Sequence, residues 1–426
     1  MIHKKFKFIK TIEDISEYEL KSNGLKVLYK KVADTGVVTT NITYLVGARD
    51  ESVGETGVAH MLEHMLFKPT KSDKSTKKEA GAMRFEREVG AVLNANTWKD
   101  RTTYYFSYGK EHFTRVLGLE ADRMRNVLLV DSEFQPERTN VLSEFDMYNG
   151  EPEFALAVQM VSTAFHSHPY GHETIGFRED IERYTTEKLQ RFYNHYYRPN
   201  NATLMVVGDV ELKTVLDEVA VAFEKLEAEP SVSNRIEVVE PKQEGLRRVE
   251  IVRPGTKNIL AIGIKHAGFP KLEWFETMVA LKLLAGGADS LLQKALVDTG
   301  LASSVTYSQE PTKDTNLATL FVSLSDKSNH QEMEAKIFSL ISDIKEDWLK
   351  KQLRTVITRS INSELFNRDS SLDIVAELTE YVASGDWSAY FETEKMLRQI
   401  SVKKIQKRLD DMFKTNNLTI GTYKSI

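Results

Sequence analysis

The sequence predicts an α+β protein built from two homologous domains of similar topology. Each is expected to be a mostly antiparallel sheet packed with helices, and the two are related by internal duplication. Length is the first observation behind this: 426 residues, 41% hydrophobic and 28% charged, exceed what one core usually supports. The second is a repeat. Lys188-Leu189-Gln190-Arg191 aligns with Lys404-Ile405-Gln406-Lys407, and Tyr197-Arg198-Pro199-Asn200-Asn201-Ala202-Thr203-Leu204 aligns with Phe413-Lys414-Thr415-Asn416-Asn417-Leu418-Thr419-Ile420, both at an offset of 216 residues. A helix, a short turn carrying Asn-Asn and an apolar strand thus close each half. Third, the Pro- and Ser-containing stretch Glu227 to Asn234 has the composition of a linker. These observations place a first domain over residues 1–227, a linker over 228–247 and a second domain over 248–426.

Within the first half, Glu17-Tyr18-Glu19-Leu20 and Leu25-Lys26-Val27-Leu28-Tyr29 read as a hairpin joined through Ser22-Asn23-Gly24. Thr40, Ile42, Tyr44 and Val46 alternate with their neighbours as a third strand, and Thr103 to Tyr108 forms another. Glu111 to Met124, Pro136 to Met147 and Phe154 to Phe165 have helical spacing. Leu93 to Thr97 precedes a turn near Trp98-Lys99-Asp100 and has the character of an exposed edge strand. An extended peptide can add to such an edge through backbone hydrogen bonds.

The chemistry concentrates in His60-Met61-Leu62-Glu63-His64. On a helix each residue advances by about 100°, so two imidazoles four positions apart share a face and can reach one ion. Glu63 sits beside that face, within reach of a metal-activated water. The pattern is the reversed form of the commoner zinc-protease helix motif, in which a metal activates water and a carboxylate accepts its proton. A catalytic zinc usually has three protein ligands. Cys is absent from the chain, which leaves His, Asp or Glu for the third. Glu137 and Glu144 are seven residues apart on a segment that begins like a helix, with Pro136 near its first turn. Two helical turns return them to nearly the same side, so one can touch a metal while the other supports a ligating His from behind.

The residues then resemble a known family. Gly57 to Phe67, Gly90 to Thr97, Asp100 to Phe106, Glu137-Arg138 with Glu144, His168-Pro169-Tyr170-Gly171 and Arg198 to Leu204 occur in the order found in the pitrilysin, insulinase and mitochondrial-processing-peptidase family of inverted zincins. The match is nearer to the bacterial members with about 400 to 450 residues per chain. The resemblance implies one Zn2+ per chain held by His60, His64 and Glu144, with Glu63 as general base and Glu137 as a carboxylate behind a ligand. It also implies a substrate-binding edge at Leu93, Asn94, Ala95 and Asn96, with Asn94 and Ala95 facing the scissile bond. The His64 to Glu144 spacing is a few residues longer than in the family, an excess that fits in the Lys-rich run Lys71 to Lys78. Pro69 and Lys99 also depart from the family pattern and are expected to change only loop shape.

The second half repeats the unit without the chemistry. Its histidines, His266 and His330, have no Glu-His neighbour. In the family the second unit or a partner chain supplies an Arg seven residues before a Tyr, which steady the substrate carbonyl and developing oxyanion. Aligned on Gly300-Leu301-Ala302, the Arg position holds Leu296 and the Tyr position Ser303, unless Lys294 and Tyr307 substitute. A homodimer exchanging the pair would keep it, so the expectation is a heterodimer with a related subunit that supplies Arg and Tyr.

These readings predict a zinc endopeptidase acting on peptides or small unfolded segments as the zinc-bearing half of a dimeric clamshell. The alternative is a non-catalytic structural or chaperone-like subunit of the same fold, although such members usually lose the zinc residues. The net charge of −5 carries no basic excess for nucleic acid. No apolar run reaches the length of a membrane span. The N-terminus has the charge of a signal peptide without its apolar core, so a cytoplasmic location is expected unless a signal peptide was removed. His166, His168 and His172 lie in a Pro- and Gly-containing loop and are expected to be structural.

Overall fold

The computed structural model describes residues 3–73, 81–233, 237–326 and 328–426. Twelve strands among these form two sheets. The first contains β1 (Phe6–Ile12), β2 (Ile15–Leu20), β3 (Lys26–Lys31), β4 (Val37–Tyr44), β5 (Val92–Thr97), β6 (Thr102–Gly109) and β7 (Ala202–Gly208), in the order β1-β2-β3-β7-β4-β6-β5. The second contains β8 (Arg247–Arg253), β9 (Ile259–His266), β10 (Ala302–Ser308), β11 (Asn316–Leu324) and β12 (Leu418–Ser425), in the order β10-β11-β9-β12-β8.

The duplication is visible strand by strand. Read from the β3 side, β3-β7-β4-β6-β5 runs in the same pattern as β8-β12-β9-β11-β10. In each sheet one parallel pair, β3 with β7 or β8 with β12, adjoins antiparallel neighbours. The closing unit repeats almost residue for residue. Helix Thr186–Tyr196, the turn Pro199–Asn201 and strand β7 correspond to helix Val402–Met412, the turn Thr415–Asn417 and strand β12. Even the caps match, since Thr185 and Ser401 each accept a bond from the backbone N–H three residues on. The α+β duplication expected from the sequence is therefore the architecture.

In the first sheet the sequence reading overlooked one strand, and in the second it placed only the closing strand, β12. β1, the N-terminal edge of the first sheet, alternates poorly because Phe6 is its only fully buried residue, so its lysines masked it. Another expectation shifts. The helix expected from Pro136 begins at Asp131, with Pro136 inside it. Part of the Lys71 to Lys78 run, residues 74–78, and Asn234 of the linker lie outside the described residues.

The two compact units do not follow the linear division at 228–247. One comprises Met1–Phe145, Glu173–Glu237 and Asn367–Ser388; the other comprises Asp146–His172, Val238–Phe366 and Ala389–Ile426. Each half of the chain donates a helix to the unit built mainly by the other. In the first unit, helix Ser371–Ser384 packs on β4 and β7. Ser371 Oγ lies 2.7 Å from Thr39 Oγ1, and the buried Trp387 Nε1 donates to Glu17 Oε2 at 2.8 Å.

In the second unit, the helix Pro152–Ala164 packs on β8, β9 and β12. Its Met160 fills a slot that two glycines open. A Cβ at Gly421 would lie 2.5 Å from Met160 Sδ, and one at Gly263 would lie 2.8 Å from its Cε. Leu156, Ala164, Phe165, Ile259, Ala261 and Tyr423 complete that core.

Helix Leu272–Ala285 of this unit corresponds to the helix that carries the histidines in the first. It packs on helix Glu346–Phe366, where Lys282 Nζ donates to the buried Ser360 Oγ at 2.9 Å. Burial lowers the pKa of Lys282.

Met160→Ala empties the glycine-lined slot and is expected to destabilise the second unit by about 3 kcal/mol. Denaturant unfolding checks this, with the loss confined to the transition of that unit.

Candidate metal centre

The helix α1 (Val58–Met65) has two chemically distinct stripes. Val58, Ala59, Met61, Leu62 and Met65 are buried, whereas His60, Glu63 and His64, at i, i+3 and i+4, share the other face. The helix start is fixed from two sides. Gly57 adopts φ +87°, and a Cβ there would lie 2.3 Å from Ile175 O, so only glycine fits. Glu51 then accepts from the backbone N–H of Gly57 at 2.7 Å and of Ala59 at 2.9 Å. These bonds satisfy N–H groups that the helix leaves unpaired and place a carboxylate at its positive end.

After the helices α2 (Gly81–Val89) and α3 (Phe113–Asn126) comes α4 (Asp131–Gly150), which supplies the carboxylates. Its fully buried residues are Phe134 and Val141. With Glu137 and Glu144 they form an i, i+3, i+7, i+10 stripe, so the packing of two apolar side chains aims both carboxylates the same way.

The geometry separates the surroundings of the two carboxylates. Glu144 Oε2 lies 3.8 Å from His60 Nε2 and 3.5 Å from His64 Nε2. Glu137 Oε2 instead lies 3.3 Å from His64 Nδ1, on the far side of the ring. One donor atom from each of His60, His64 and Glu144 falls within 4.8 Å of the others, and no other such set exists among the described residues. Ligand atoms about 2.1 Å from a tetrahedral ion lie roughly 3.4 Å apart, so this set fits a cation. The imidazole of His60 reinforces the fit: its Nδ1 is buried without a hydrogen-bond partner, and its Nε2 is beyond bonding distance of the carboxylate it faces.

The electrostatics follow from the same contacts. Burial, followed by the charge of His64, lowers the pKa of His60 to about 4, which keeps its lone pair free. Burial also opposes charge on His64, but hydrogen bonds to Glu137 and Glu144 outweigh it and raise the pKa to about 9. A cation bound there must displace that proton. Glu137 is pulled down to about 2, chiefly by His64 and then by Lys68, whose Nζ lies 2.5 Å from Oε1. Burial raises the pKa of Glu63, and the bond from Thr97 Oγ1 partly offsets this.

His60, Glu63, His64, Glu137, Glu144, Leu93 and Asn94 line one cleft of about 600 Å3, together with Phe67, Lys68, Met83 and Glu86. β5 borders it as the terminal strand of its sheet, paired on one side with β6. Ala95 is buried and its N–H is held by Asn94 Oδ1 at 2.9 Å. Asn96 is held by the guanidinium of Arg101, which also pairs with Glu380.

Spacing alone did not single out Thr97, Lys68, Arg101 or Glu380. Thr97 lay within a quoted motif, but its contact with Glu63 spans 34 residues; Glu380 lies 279 residues from its partner. Lys99 does more than shape a loop. It is 1% exposed, and its Nζ reaches Glu173 Oε2 at 3.3 Å. The loop histidines take no part in the cluster: His168 Nδ1 accepts from Tyr170 N, and Glu240 binds the backbone N–H groups of residues 166–168.

In the second unit Leu296 is fully buried and Ser303 is exposed on β10, where its Oγ donates to Ser323 O. Lys294 is exposed and paired with Asp298 at 2.9 Å.

Comparison with known proteins places the chain in a family of peptidases. Residues 26–177 match the family model described as Insulinase (Peptidase family M16), and residues 183–359 match that of the Peptidase M16 inactive domain. A zinc protease of Helicobacter pylori, PqqE, is 28% identical over 404 residues, covering 93% of this chain and 90% of the relative. The crystal structure of a protease from Helicobacter pylori superposes with a TM-score of 0.89 at 27% identity, over 97% of this chain and 100% of that one. Pitrilysin shares the fold at a TM-score of 0.76 and 18% identity, over 99% of this chain and 47% of its own.

Proposed function

The chain belongs to the M16 family of peptidases, and from that premise we propose that it is a zinc-dependent endopeptidase. It hydrolyses extended peptides or small unfolded segments, and it acts as the zinc-bearing half of a two-chain clamshell. The observation that carries this reading is the convergence of His60, His64 and Glu144 around one point, with Glu63 beside them in the same cleft.

A zinc ion held by those three side chains would supply Lewis acidity to a water and to the scissile carbonyl. The protein's own groups account for the rest. Glu63, whose carboxylate burial makes more basic, takes the proton of the attacking water and passes it to the leaving amine. Glu137 accepts from His64 Nδ1 and so presents Nε2 to the ion. Lys68 balances the charge of Glu137. The free edge of β5, at Leu93 to Asn96, pairs with substrate main chain, which gives affinity with little demand on sequence.

The second unit supports the two-chain arrangement. Aligned on Gly300-Leu301-Ala302, the positions expected to hold an arginine and a tyrosine carry the buried Leu296 and the exposed Ser303, and Lys294 is engaged with Asp298. A related subunit therefore brings that pair.

Glu63→Gln is expected to retain zinc while losing turnover by about 10³-fold, as read by metal analysis beside a peptide-cleavage assay. Retained turnover excludes Glu63 as the base. Glu144→Gln should lose zinc on dialysis under conditions where the parent chain keeps it; unchanged metal content would move the third ligand to Glu137. Cleavage by the isolated chain is expected to rise when the co-purifying subunit is added. Full activity without a partner overturns the two-chain reading.

A further inference from the structure

Glu63 is held by a residue outside the metal cluster. Thr97 Oγ1 donates to Glu63 Oε2 at 2.6 Å, and Thr97 is 9% exposed. A hydroxyl bonded to a carboxylate in a site shielded from water is a charge-assisted hydrogen bond, shorter and stronger than a neutral one. A glutamate otherwise rotates about three side-chain bonds, so a base on α1 is not oriented by its helix alone. The contact removes that freedom at one oxygen.

The position of Thr97 gives the contact a further meaning. It is the last residue of β5, opposite Thr102 of β6 and directly after Leu93 to Asn96 in the same register. β5 also packs against α1. The strand that offers its edge to a peptide therefore also anchors the group that must meet the water attacking that peptide.

We propose that Thr97 is a positioning residue for the general base: its hydroxyl fixes one oxygen of Glu63, leaves the other to accept the proton of the attacking water, and ties the base to the strand that registers the substrate. The inference rests on the peptidase reading above for its kinetic part. Its structural part concerns the orientation of Glu63 and stands apart from turnover.

The test compares Thr97→Val, which keeps the shape and loses the hydroxyl, with Thr97→Ser, which keeps the hydroxyl. The assay uses the full chain with its co-purifying subunit. Thr97→Val is expected to lower kcat by about 10- to 100-fold, with KM and zinc content unchanged, and Thr97→Ser to stay close to the parent. In crystals of the zinc-free chains, the Glu63 carboxylate is expected to leave its position in the valine variant and to keep it in the serine variant. A parental kcat in Thr97→Val overturns the proposal, as does equal loss in both variants or an unmoved Glu63 in the valine crystal. Absence of cleavage by the parent counts against the peptidase reading instead, and the crystals then decide the role of Thr97.

Discussion

A helix of eight residues holds two imidazoles and a carboxylate half-buried on one stripe, and the cleft is organised around the need to compensate them. Unpaired polar groups in such a place cost free energy. The compensation comes from elements remote in sequence. Glu51 closes the N-terminus of α1, Glu137 and Lys68 sit behind His64, and Thr97 binds Glu63. Because Glu137 is fixed on the Phe134–Val141 stripe of α4 and Thr97 in the ladder of β5, the orientation of the site is inherited from the packing of the whole unit.

The exchange of helices changes what a domain boundary means in this chain. The helix Pro152–Ala164 fills the glycine-lined slot of the second sheet, and helix Ser371–Ser384 covers β4 and β7 of the first. Glu380 of the latter reaches Arg101, which holds Asn96. A residue far along the chain thus braces the strand proposed to receive substrate. Residues 1–227 alone would lack a covering helix of their own sheet.

The parts legible in the sequence were those governed by local periodicity. The spacing of His60, Glu63 and His64 gave a shared face, and the 216-residue offset gave the duplication, which the structure extends to Thr185 and Ser401 as equivalent caps. The seven-residue step from Glu137 to Glu144 predicted a common side but not which carboxylate joins the cluster, because that depends on how α4 rolls onto Phe134 and Val141. The exchanged helices, the buried Lys99 and the Thr97 contact were hidden for one reason: each pairs groups tens to hundreds of residues apart, which no local pattern encodes. β1 was hidden for another, since lysines flank the single residue that buries it.

In the second unit, Ser360 lies 216 residues after Glu144, the offset that relates the closing units of the two copies, and Lys282 reaches it from helix Leu272–Ala285. An ammonium group covalently attached to the chain thus meets, in this copy, the residue 216 positions after the carboxylate of the proposed metal cluster. With a cation bound as proposed, the stability of the first unit would be coupled to the free concentration of that ion and to the proton it displaces. The second unit has its cationic group tethered by its own covalent structure, and such a group is not diluted away. On the proposed reading, duplication has set a charge supplied by mass action in one copy against a charge fixed by sequence in the other.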